Sequence, residues 1–204
     1  MSFANYLTFI RIFISPIFLF VYLEYEYLNF SLVTLPYLLL FLFGISELSD
    51  AFDGYVARKY NEVTDLGKIL DPMADSIYRI SVFLTFTLPP IRLPMILIFI
   101  ILYRDSVVST LRTICALKGF ALAARASGKI KAVVQAIAAF IIILLLIPYS
   151  LGNMEEEMLH NISTIIVSIV SIYTLFSGVD YIYANREYIA RLLTTKKDKN
   201  FNLE

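Results

Sequence analysis

Charged residues are scarce in this chain of 204 residues. Only 17% of its residues are Asp, Glu, Lys or Arg, whereas soluble domains contain about 25%. Acidic and basic side chains are equal in number, at 17 each, so the formal net charge is zero and a nucleic-acid partner is not expected. Because 59% of the residues are hydrophobic, the composition favours a protein that lies in lipid.

Cysteine and histidine are nearly absent, with one residue of each type. The single Cys115 excludes a disulfide within the chain. Zinc sites in proteins are built mainly from cysteine and histidine. In the orientation predicted below, His160 lies on the side of the membrane opposite the aspartates at positions 50–75. A zinc site is therefore not expected.

Long apolar runs are abundant, and several reach the ~20 residues that a helix needs to cross a bilayer. We predict six spans, at 7–28, 33–57, 68–88, 94–117, 129–148 and 158–184. Proline, glycine and polar residues mark the breaks between them. A soluble helical protein would have too little polar surface for so many apolar runs. Residues 1–204 are therefore interpreted as one all-α, polytopic integral membrane domain with six transmembrane helices.

Basic residues predict the orientation of the spans, because cytoplasmic loops of membrane proteins are enriched in Lys and Arg. With the N-terminus in the cytoplasm, nearly all basic residues fall on or near the cytoplasmic side, and Arg92 is the one that lies clearly outside. The acidic run from Glu155 to Glu157 then lies outside as well. Both termini are therefore predicted to be cytoplasmic.

Four aspartates lie close together in the sequence, at the predicted cytoplasmic ends of the second and third spans. Asp50 and Asp53 are three positions apart and Asp71 and Asp75 are four apart, so each pair shares one face of a helix. A carboxylate at membrane depth costs on the order of 2.5 kcal/mol or more, so four together need a partner. Hard oxygen ligands favour Mg²⁺, Mn²⁺ or Ca²⁺, and a pair of such ions is the usual clamp for phosphoryl transfer.

The aspartates could also serve roles that need no catalysis. They could form ion pairs with basic residues and hold helices together, or they could mark the path of a cation transporter. A transport path would distribute acidic residues across the bilayer, whereas these residues cluster at one face. The clustering favours a metal-dependent site, with the transporter as the alternative from another functional class.

The acidic segment resembles the signature of the CDP-alcohol phosphotransferase family, D-x2-D-G-x2-A-R-x8-G-x3-D-x3-D. Every fixed position is matched, by Asp50, Asp53, Gly54, Ala57, Arg58, Gly67, Asp71 and Asp75. The N-terminal residues Asn5, Thr8, Arg11 and Pro16 resemble the start of family members, N-x2-T-x2-R-x4-P. In that family an alcohol oxygen attacks the lipid-linked phosphorus of a CMP-activated donor, and CMP leaves.

The resemblance implies roles for these residues. Two divalent ions, Mg²⁺ or Mn²⁺, would lie on the donor pyrophosphate, held by Asp50, Asp53, Asp71 and Asp75. Asp75 would also accept the proton of the incoming hydroxyl, as the catalytic base. The nucleotide contacts would come from Asn5, Thr8, Asp50, Asp53, Gly54, Ala57, Arg58 and Gly67. Family membership further implies a homodimer in the lipid bilayer.

Basic residues of the later spans suggest that the acceptor alcohol carries a phosphate. Arg104 and Arg112 are eight positions apart, about two helical turns, and therefore lie on a similar face. Lys129 and Lys131 open the fifth span. We predict that all four converge beside the aspartates as acceptor-binding residues. The alternatives are pairing of Arg104 with Asp105 or with one of the four aspartates, and anchoring of the two lysines at the membrane surface.

Two segments, around Arg104 and Lys129, resemble the branch of the family that makes phosphatidylglycerol phosphate, with its R-E…L-R and G-K-[IV]-K-T patterns. That resemblance implies sn-glycerol 3-phosphate as acceptor and CDP-diacylglycerol as donor. It also implies a bacterial inner (cytoplasmic) membrane, with the active site facing the cytoplasm. Inositol phosphate, inositol, serine and phosphatidylglycerol remain possible acceptors.

The chain departs from this branch at three positions. Asp105 occupies the position of a Glu, Ala132 that of a Thr, and Ser76 that of the Lys that usually follows the last aspartate. Arg79 comes about one helical turn after Ser76 and is a candidate to replace the missing Lys charge.

Overall fold

Helices make up all of the regular structure in the part of the chain that the computed structural model describes, residues 3–59, 65–117 and 125–194. The described residues form six long helices and one short one: α1 Phe3–Glu24, α2 Leu35–Lys59, α3 Asp65–Thr85, α4 Met95–Leu117, α5 Ala126–Ser150, α6 Glu156–Ala184 and α7 Arg186–Thr194. The predicted all-α class is confirmed, and each long helix overlaps one predicted span. The short helix α7 was not predicted.

The breaks between helices occur at residues that suit them. Asn29, between α1 and α2, has φ 60°, a left-handed conformation that Asn adopts more readily than most residues. Ser31 accepts a hydrogen bond at 3.2 Å from the backbone N–H of Thr34, just before α2 begins. Gly152, between α5 and α6, has φ 75°, where a side chain would be strained.

Two of the described helices, α5 and α6, are long and apolar enough to cross a membrane. The shortest of the six long helices, α3, has 21 residues and is therefore about 31 Å long. The apolar helices and the hydrophobic composition indicate a membrane protein. The six-span topology and the cytoplasmic location of both termini remain predictions.

The long helices form two groups that pack side by side. Helix α1 packs against α2 and α3, and α6 packs against α4 and α5, while contacts of α2 with α5 and of α3 with α4 join the groups. Phe18, Phe83 and Phe86 are fully buried where α1 meets the end of α3. Phe86 makes edge-to-face contacts with both other rings, at centroid distances of 6.2 and 6.3 Å.

The up-and-down order of the helices separates the end that holds the phenylalanine core from the end that gathers the candidate functional side chains. The phenylalanine core lies near the end of α1 and the end of α3, and large apolar side chains such as Phe13 and Ile172 cover the outside. The opposite end gathers the start of α1, the end of α2, the start of α3, the second half of α4, the start of α5 and the end of α6. The candidate functional side chains lie at this second end.

Candidate active site

Three of the four predicted aspartates contact side chains of α1. The Arg11 guanidinium lies 3.1 Å from Asp50 Oδ1 through Nη2, and its Nη1 donates a hydrogen bond to Asp75 Oδ1. Thr8 Oγ1 donates a hydrogen bond to Asp71 Oδ1 at 2.7 Å. We call these five residues the carboxylate cluster. Through them, α1 ties the end of α2 to the start of α3.

The cation of the carboxylate cluster is buried and its acidic partners are not. Arg11 is 1% exposed, whereas the side chains of Asp50 and Asp75 are 40% and 32% exposed. A buried guanidinium is costly unless it is paired, and here two carboxylates pair with it. Since one positive charge cannot neutralise two carboxylates, the exposed carboxylate oxygens can still bind a cation.

Six predicted site residues have side chains outside the described part of the structure. They are Asn5 on α1, Asp53, Gly54, Ala57 and Arg58 on α2, and Gly67 on α3. Among the side chains that the structure does describe, no three acidic, histidine or cysteine residues are grouped to hold a metal ion. The site of four aspartates therefore stays a prediction.

The described members of the carboxylate cluster suit a hard divalent cation. Asp50, Asp71 and Asp75 offer only carboxylate oxygens, the ligands that Mg²⁺ and Mn²⁺ prefer. Asp50 and Asp75 come from different helices and share one guanidinium, so their carboxylates lie close together. The donor set therefore fits the ions that the family resemblance implies.

A small cavity of about 140 Å³ lies next to the carboxylate cluster, between α3, α4 and α5. Its wall includes Asp75 from the cluster, and its other charged lining residues are Arg79, Arg104, Asp105, Arg112 and Lys131. We call this space the basic cavity. Asp75 is thus shared by the two halves of the site.

One carboxylate positions two cations of the basic cavity. Lys131 Nζ lies 2.7 and 2.8 Å from the two carboxylate oxygens of Asp105, and Arg104 Nη1 lies 3.0 Å from one of them. The Asp105 side chain is 2% exposed. Pairing of Arg104 with Asp105, the alternative to acceptor binding, is therefore a real contact. Because Asp105 carries one charge for two cations, the contact leaves a positive surplus.

Helix α6 supports the two arginines from the other side. Arg104 Nη2 donates a hydrogen bond to Ser177 Oγ at 2.6 Å. A Cβ atom on Gly178 would lie 2.9 Å from Arg104 Cγ, so the close approach of Arg104 to α6 requires glycine there. Arg112 Nε donates to the Tyr181 hydroxyl at 3.3 Å, and its guanidinium carbon lies 5.1 Å from the centroid of that ring.

The predicted convergence of four basic residues is met in the structure by three of them. Arg104, Arg112 and Lys131 line the basic cavity, whereas Lys129 is exposed and is not among the described lining residues. Two positions along a helix correspond to a rotation of about 200°, so neighbours of this spacing point to different sides. Acceptor binding by Lys129 therefore stays a prediction.

Three charged residues of the site, Arg11, Arg79 and Asp105, are named in the sequence patterns but are not among the predicted site residues. The place of Arg11 in the site could have been inferred from its spacing, because Thr8 and Arg11 are three positions apart and therefore share a helix face. Arg79 was indicated because Ser76 occupies the position at which the related branch of the family has a Lys. The sharing of Asp105 by two cations had no local signal, since Lys131 is 26 positions away.

Comparisons with known proteins identify the family of this chain. The family model described as CDP-alcohol phosphatidyltransferase matches residues 1–179. A protein of Rickettsia felis named CDP-diacylglycerol–glycerol-3-phosphate 3-phosphatidyltransferase is 32% identical over 186 residues, which cover 90% of this chain and 95% of that protein. The Bacillus subtilis protein of the same name is 32% identical over 149 residues, covering 72% of each chain. The Aquifex aeolicus protein of that name is 41% identical over 106 residues, covering 52% of this chain and 54% of its own length.

The extent of these matches decides the family. The family model covers most of the chain, and the Rickettsia felis relative aligns along nine-tenths of it. The protein therefore belongs to the CDP-alcohol phosphatidyltransferase family.

Proposed function

We propose that the protein transfers a phosphatidyl group from CDP-diacylglycerol to sn-glycerol 3-phosphate, giving phosphatidylglycerol phosphate and CMP. The names of the relatives that cover most of the chain support this reaction. The observation that carries the proposal is that the basic cavity adjoins Asp75, the predicted base. A phosphorylated alcohol bound there would bring its hydroxyl to that carboxylate.

The charge of the basic cavity matches a phosphate group. Four basic and two acidic side chains line it, with a formal sum of two positive charges. A phosphate monoester carries about −1.5 to −2 near neutral pH. Arginines and a lysine are also the side chains that bind phosphate oxygens best. An uncharged acceptor such as inositol, or a zwitterionic one such as serine, would not use this surplus.

The size of the basic cavity suits a small acceptor. At about 140 Å³ it is smaller than pockets for drug-sized ligands, which begin near ~300 Å³. Glycerol 3-phosphate is a small acceptor of the kind that such a cavity can hold, whereas the nucleotide of the donor has to bind elsewhere. We assign the donor nucleotide to the carboxylate cluster together with the other residues that the family resemblance implies, Asn5, Asp53, Gly54, Ala57, Arg58 and Gly67.

We infer that Asp75 acts as the base. Its carboxylate borders the basic cavity, and the buried guanidinium of Arg11 orients it. In the proposed step Asp75 takes the proton of the acceptor hydroxyl, and the resulting oxygen forms a bond to the phosphorus that carries diacylglycerol. The bond from that phosphorus to the CMP oxygen breaks, and CMP leaves with the electron pair.

The divalent ions belong to the carboxylate cluster. We propose that Asp50, Asp53, Asp71 and Asp75 hold two ions, Mg²⁺ or Mn²⁺. When bound, they would neutralise the donor pyrophosphate and stabilise negative charge on the leaving CMP. The side chains of this chain then have to hold both substrates in line, so that the acceptor oxygen, the phosphorus and the leaving oxygen are aligned.

The proposed setting is the inner membrane of a bacterium, with the site at the cytoplasmic surface. The acyl chains of the donor would stay among the lipid tails while its head group meets the water-soluble acceptor. We further propose that residues 1–204 form one domain with six transmembrane helices and that the protein is a homodimer.

One assay tests the reaction and the acceptor together. Purified protein in detergent micelles receives CDP-diacylglycerol, Mg²⁺ or Mn²⁺, and one acceptor at a time, and CMP release is measured. The acceptors are glycerol 3-phosphate, inositol phosphate, inositol, serine and phosphatidylglycerol. We expect release to depend on glycerol 3-phosphate.

The remaining outcomes of this assay are equally informative. Release with a different acceptor would keep the role of the aspartates and overturn the assignment of the basic cavity. Folded protein that releases no CMP with any acceptor would instead favour the transporter alternative, which uses the same carboxylates without chemistry.

A further inference from the structure

We infer that Arg79 is a further acceptor-binding residue, which supplies positive charge to the wall of the basic cavity that also carries Asp75. The inference rests on the proposed function, since it concerns the phosphate of the proposed acceptor. Arg79 belongs to α3, whereas the acceptor-binding residues predicted from the sequence belong to α4 and α5. The phosphate would therefore be held from three helices.

The position of Arg79 on α3 places it beside the base. Asp75 and Arg79 are four residues apart and therefore lie on the same face of the helix, one turn from each other. Both side chains line the basic cavity, and so does Ser76 between them. A ligand that reaches the Asp75 carboxylate therefore passes within reach of the Arg79 guanidinium.

The Arg79 side chain extends across the cavity towards α5. Its Nη1 donates a hydrogen bond to the backbone carbonyl of Ala132, the residue that follows Lys131. Because of this contact, the guanidinium lies near Lys131 on α5, although the side chain begins beside Asp75 on α3. The acceptor phosphate would lie between these two cations, while its hydroxyl lies towards Asp75.

The charge of Arg79 is available to an anion. Arg104 and Lys131 share the carboxylate of Asp105, whereas the hydrogen bond of Arg79 within the described structure goes to a neutral carbonyl. A guanidinium has five N–H donors, so one bond to a carbonyl leaves most of its capacity for phosphate oxygens. Arg79 is also half-buried, where its attraction for an anion is screened less than at a fully exposed site.

The local sequence is consistent with this role. The related branch of the family carries a Lys at the position of Ser76, next to the base, and this chain does not. Ser76 and Arg79 are three residues apart and share a helix face. Compared with that branch, the positive charge of this chain therefore lies about one turn further along α3. The short side chain of Ser76 leaves room for the longer arginine to reach the same space.

A purely structural role for Arg79 is the competing hypothesis. The hydrogen bond to Ala132 joins α3 to α5, and Arg79 could serve only to hold these helices together. Arg79→Gln separates the two hypotheses, because glutamine keeps an amide donor for the carbonyl but loses the positive charge. Adding Ser76→Lys to this variant returns a charge to the cavity without restoring the contact between Arg79 and Ala132.

The test measures initial rates of CMP release with glycerol 3-phosphate and CDP-diacylglycerol varied in turn. We expect Arg79→Gln to raise the KM for glycerol 3-phosphate about 10- to 100-fold, as for loss of a hydrogen bond to a charged group. The donor KM and the melting temperature should stay near those of the wild type. In the Ser76→Lys, Arg79→Gln double variant, most of the acceptor affinity should return.

The matched control is Arg92→Gln, which removes an arginine at the opposite end of the helices. Arg92 is 62% exposed and pairs with Glu156 at 3.0 Å, so both KM values should be unchanged. The inference fails if Arg79→Gln leaves the acceptor KM unchanged. It also fails if both KM values rise together with a lower melting temperature and Ser76→Lys restores nothing.

Failure of the proposed function would be recognised separately. Wild-type protein that releases CMP without regard to glycerol 3-phosphate would remove the proposed acceptor, and this inference with it. Wild-type protein with the expected acceptor dependence and an Arg79→Gln variant of unchanged KM would remove the inference alone.

Discussion

The carboxylate cluster and the basic cavity are built on opposite charge patterns. In the cluster one cation, Arg11, contacts two carboxylates, Asp50 and Asp75. In the cavity one carboxylate, Asp105, contacts two cations, Arg104 and Lys131. Each half therefore has a surplus of one sign, negative for metal ions in the first and positive for phosphate in the second.

In both halves the minority charge is deeply buried, with Arg11 1% and the Asp105 side chain 2% exposed. The majority charges differ: Asp50 and Asp75 are 40% and 32% exposed, whereas Arg104 and Lys131 are only 9% and 8% exposed. A buried central charge fixes the positions of its partners and leaves the surplus for a ligand. The difference in sign shows how one helical end can hold a cation site and an anion site next to each other.

Asp75→Asn acts on the residue that the two halves share. We expect CMP release to fall by about 10²- to 10⁴-fold, the usual contribution of a positioned base, while CDP-diacylglycerol still binds. Turnover and donor binding are measured on the same preparation. Glu156→Gln, which removes an acidic residue of an exposed ion pair at the opposite end, is the control. Turnover near the wild-type value would remove Asp75 as the base.

Arg11→Gln breaks the carboxylate cluster by removing its central cation. Asp50 and Asp75 are 40% and 32% exposed, so water can solvate the carboxylates that lose their partner. We therefore expect a loss of stability smaller than the about 3–5 kcal/mol of a fully buried pair, with CMP release reduced by about 100-fold or more. Arg11→Lys should have an intermediate effect, because lysine keeps the charge but not the planar fork that binds two carboxylates. Thermal unfolding in detergent measures the loss, and a melting temperature equal to that of the wild type would contradict it.

Asp105→Asn is the corresponding change in the basic cavity. Arg104 and Lys131 would keep their charges but lose their common partner and repel each other. We expect the KM for glycerol 3-phosphate to rise about 10-fold, with a donor KM within about twofold of the wild type. A proportional rise of both values would mean that Asp105 supports the fold as a whole.

Arg112→Ala compared with Lys129→Ala tests where the cavity ends. Arg112 lines the cavity and Lys129 is not among its described lining residues, so only the first should raise the acceptor KM, by about 10-fold for a lost charged hydrogen bond. The same substrate titrations apply. If Lys129→Ala raises the acceptor KM as much as Arg112→Ala, the acceptor site extends beyond the cavity to the start of α5.

Gly178→Ala is the smallest change, and it tests whether the close packing of Arg104 against α6 matters for the basic cavity. The added Cβ would lie 2.9 Å from Arg104 Cγ, so the arginine has to shift, and we expect the acceptor KM to rise about threefold. Gly44→Ala on α2 is the control, because no described atom lies within 4 Å of its added Cβ and alanine favours helix. Equal KM values for the two variants would show that Arg104 tolerates the displacement.

The helices and the carboxylates could be predicted from the sequence because their signals are local. Apolar runs of about 20 residues predict membrane helices, and each of the six predicted spans overlaps a helix. The spacing of Asp71 and Asp75 fixes a common helix face within one turn. Neither inference needs to know which helix lies opposite.

The partners of the buried charges could not be predicted in this way. Arg11 and Asp75 are 64 positions apart, and Arg104 and Ser177 are 73 apart. Whether such residues meet depends on the rotation of each helix about its axis and on which helices are neighbours. The role of Lys129 stays a prediction for the same reason: the sequence places it near Lys131, whereas in the structure it is exposed and is not among the described lining residues of the cavity.

The sequence by itself therefore determined the long apolar helices, the acidic signature and the reaction class that its spacing resembles. Only the tertiary structure decided that Arg11 joins two aspartates, that Asp105 serves two cations and that Arg79 reaches the basic cavity. The physical reason is the distance along the sequence over which each kind of interaction acts. Helix periodicity and hydrophobicity act between neighbours in sequence, whereas a charge inside a helical bundle is stabilised by partners that only packing brings within a few ångströms.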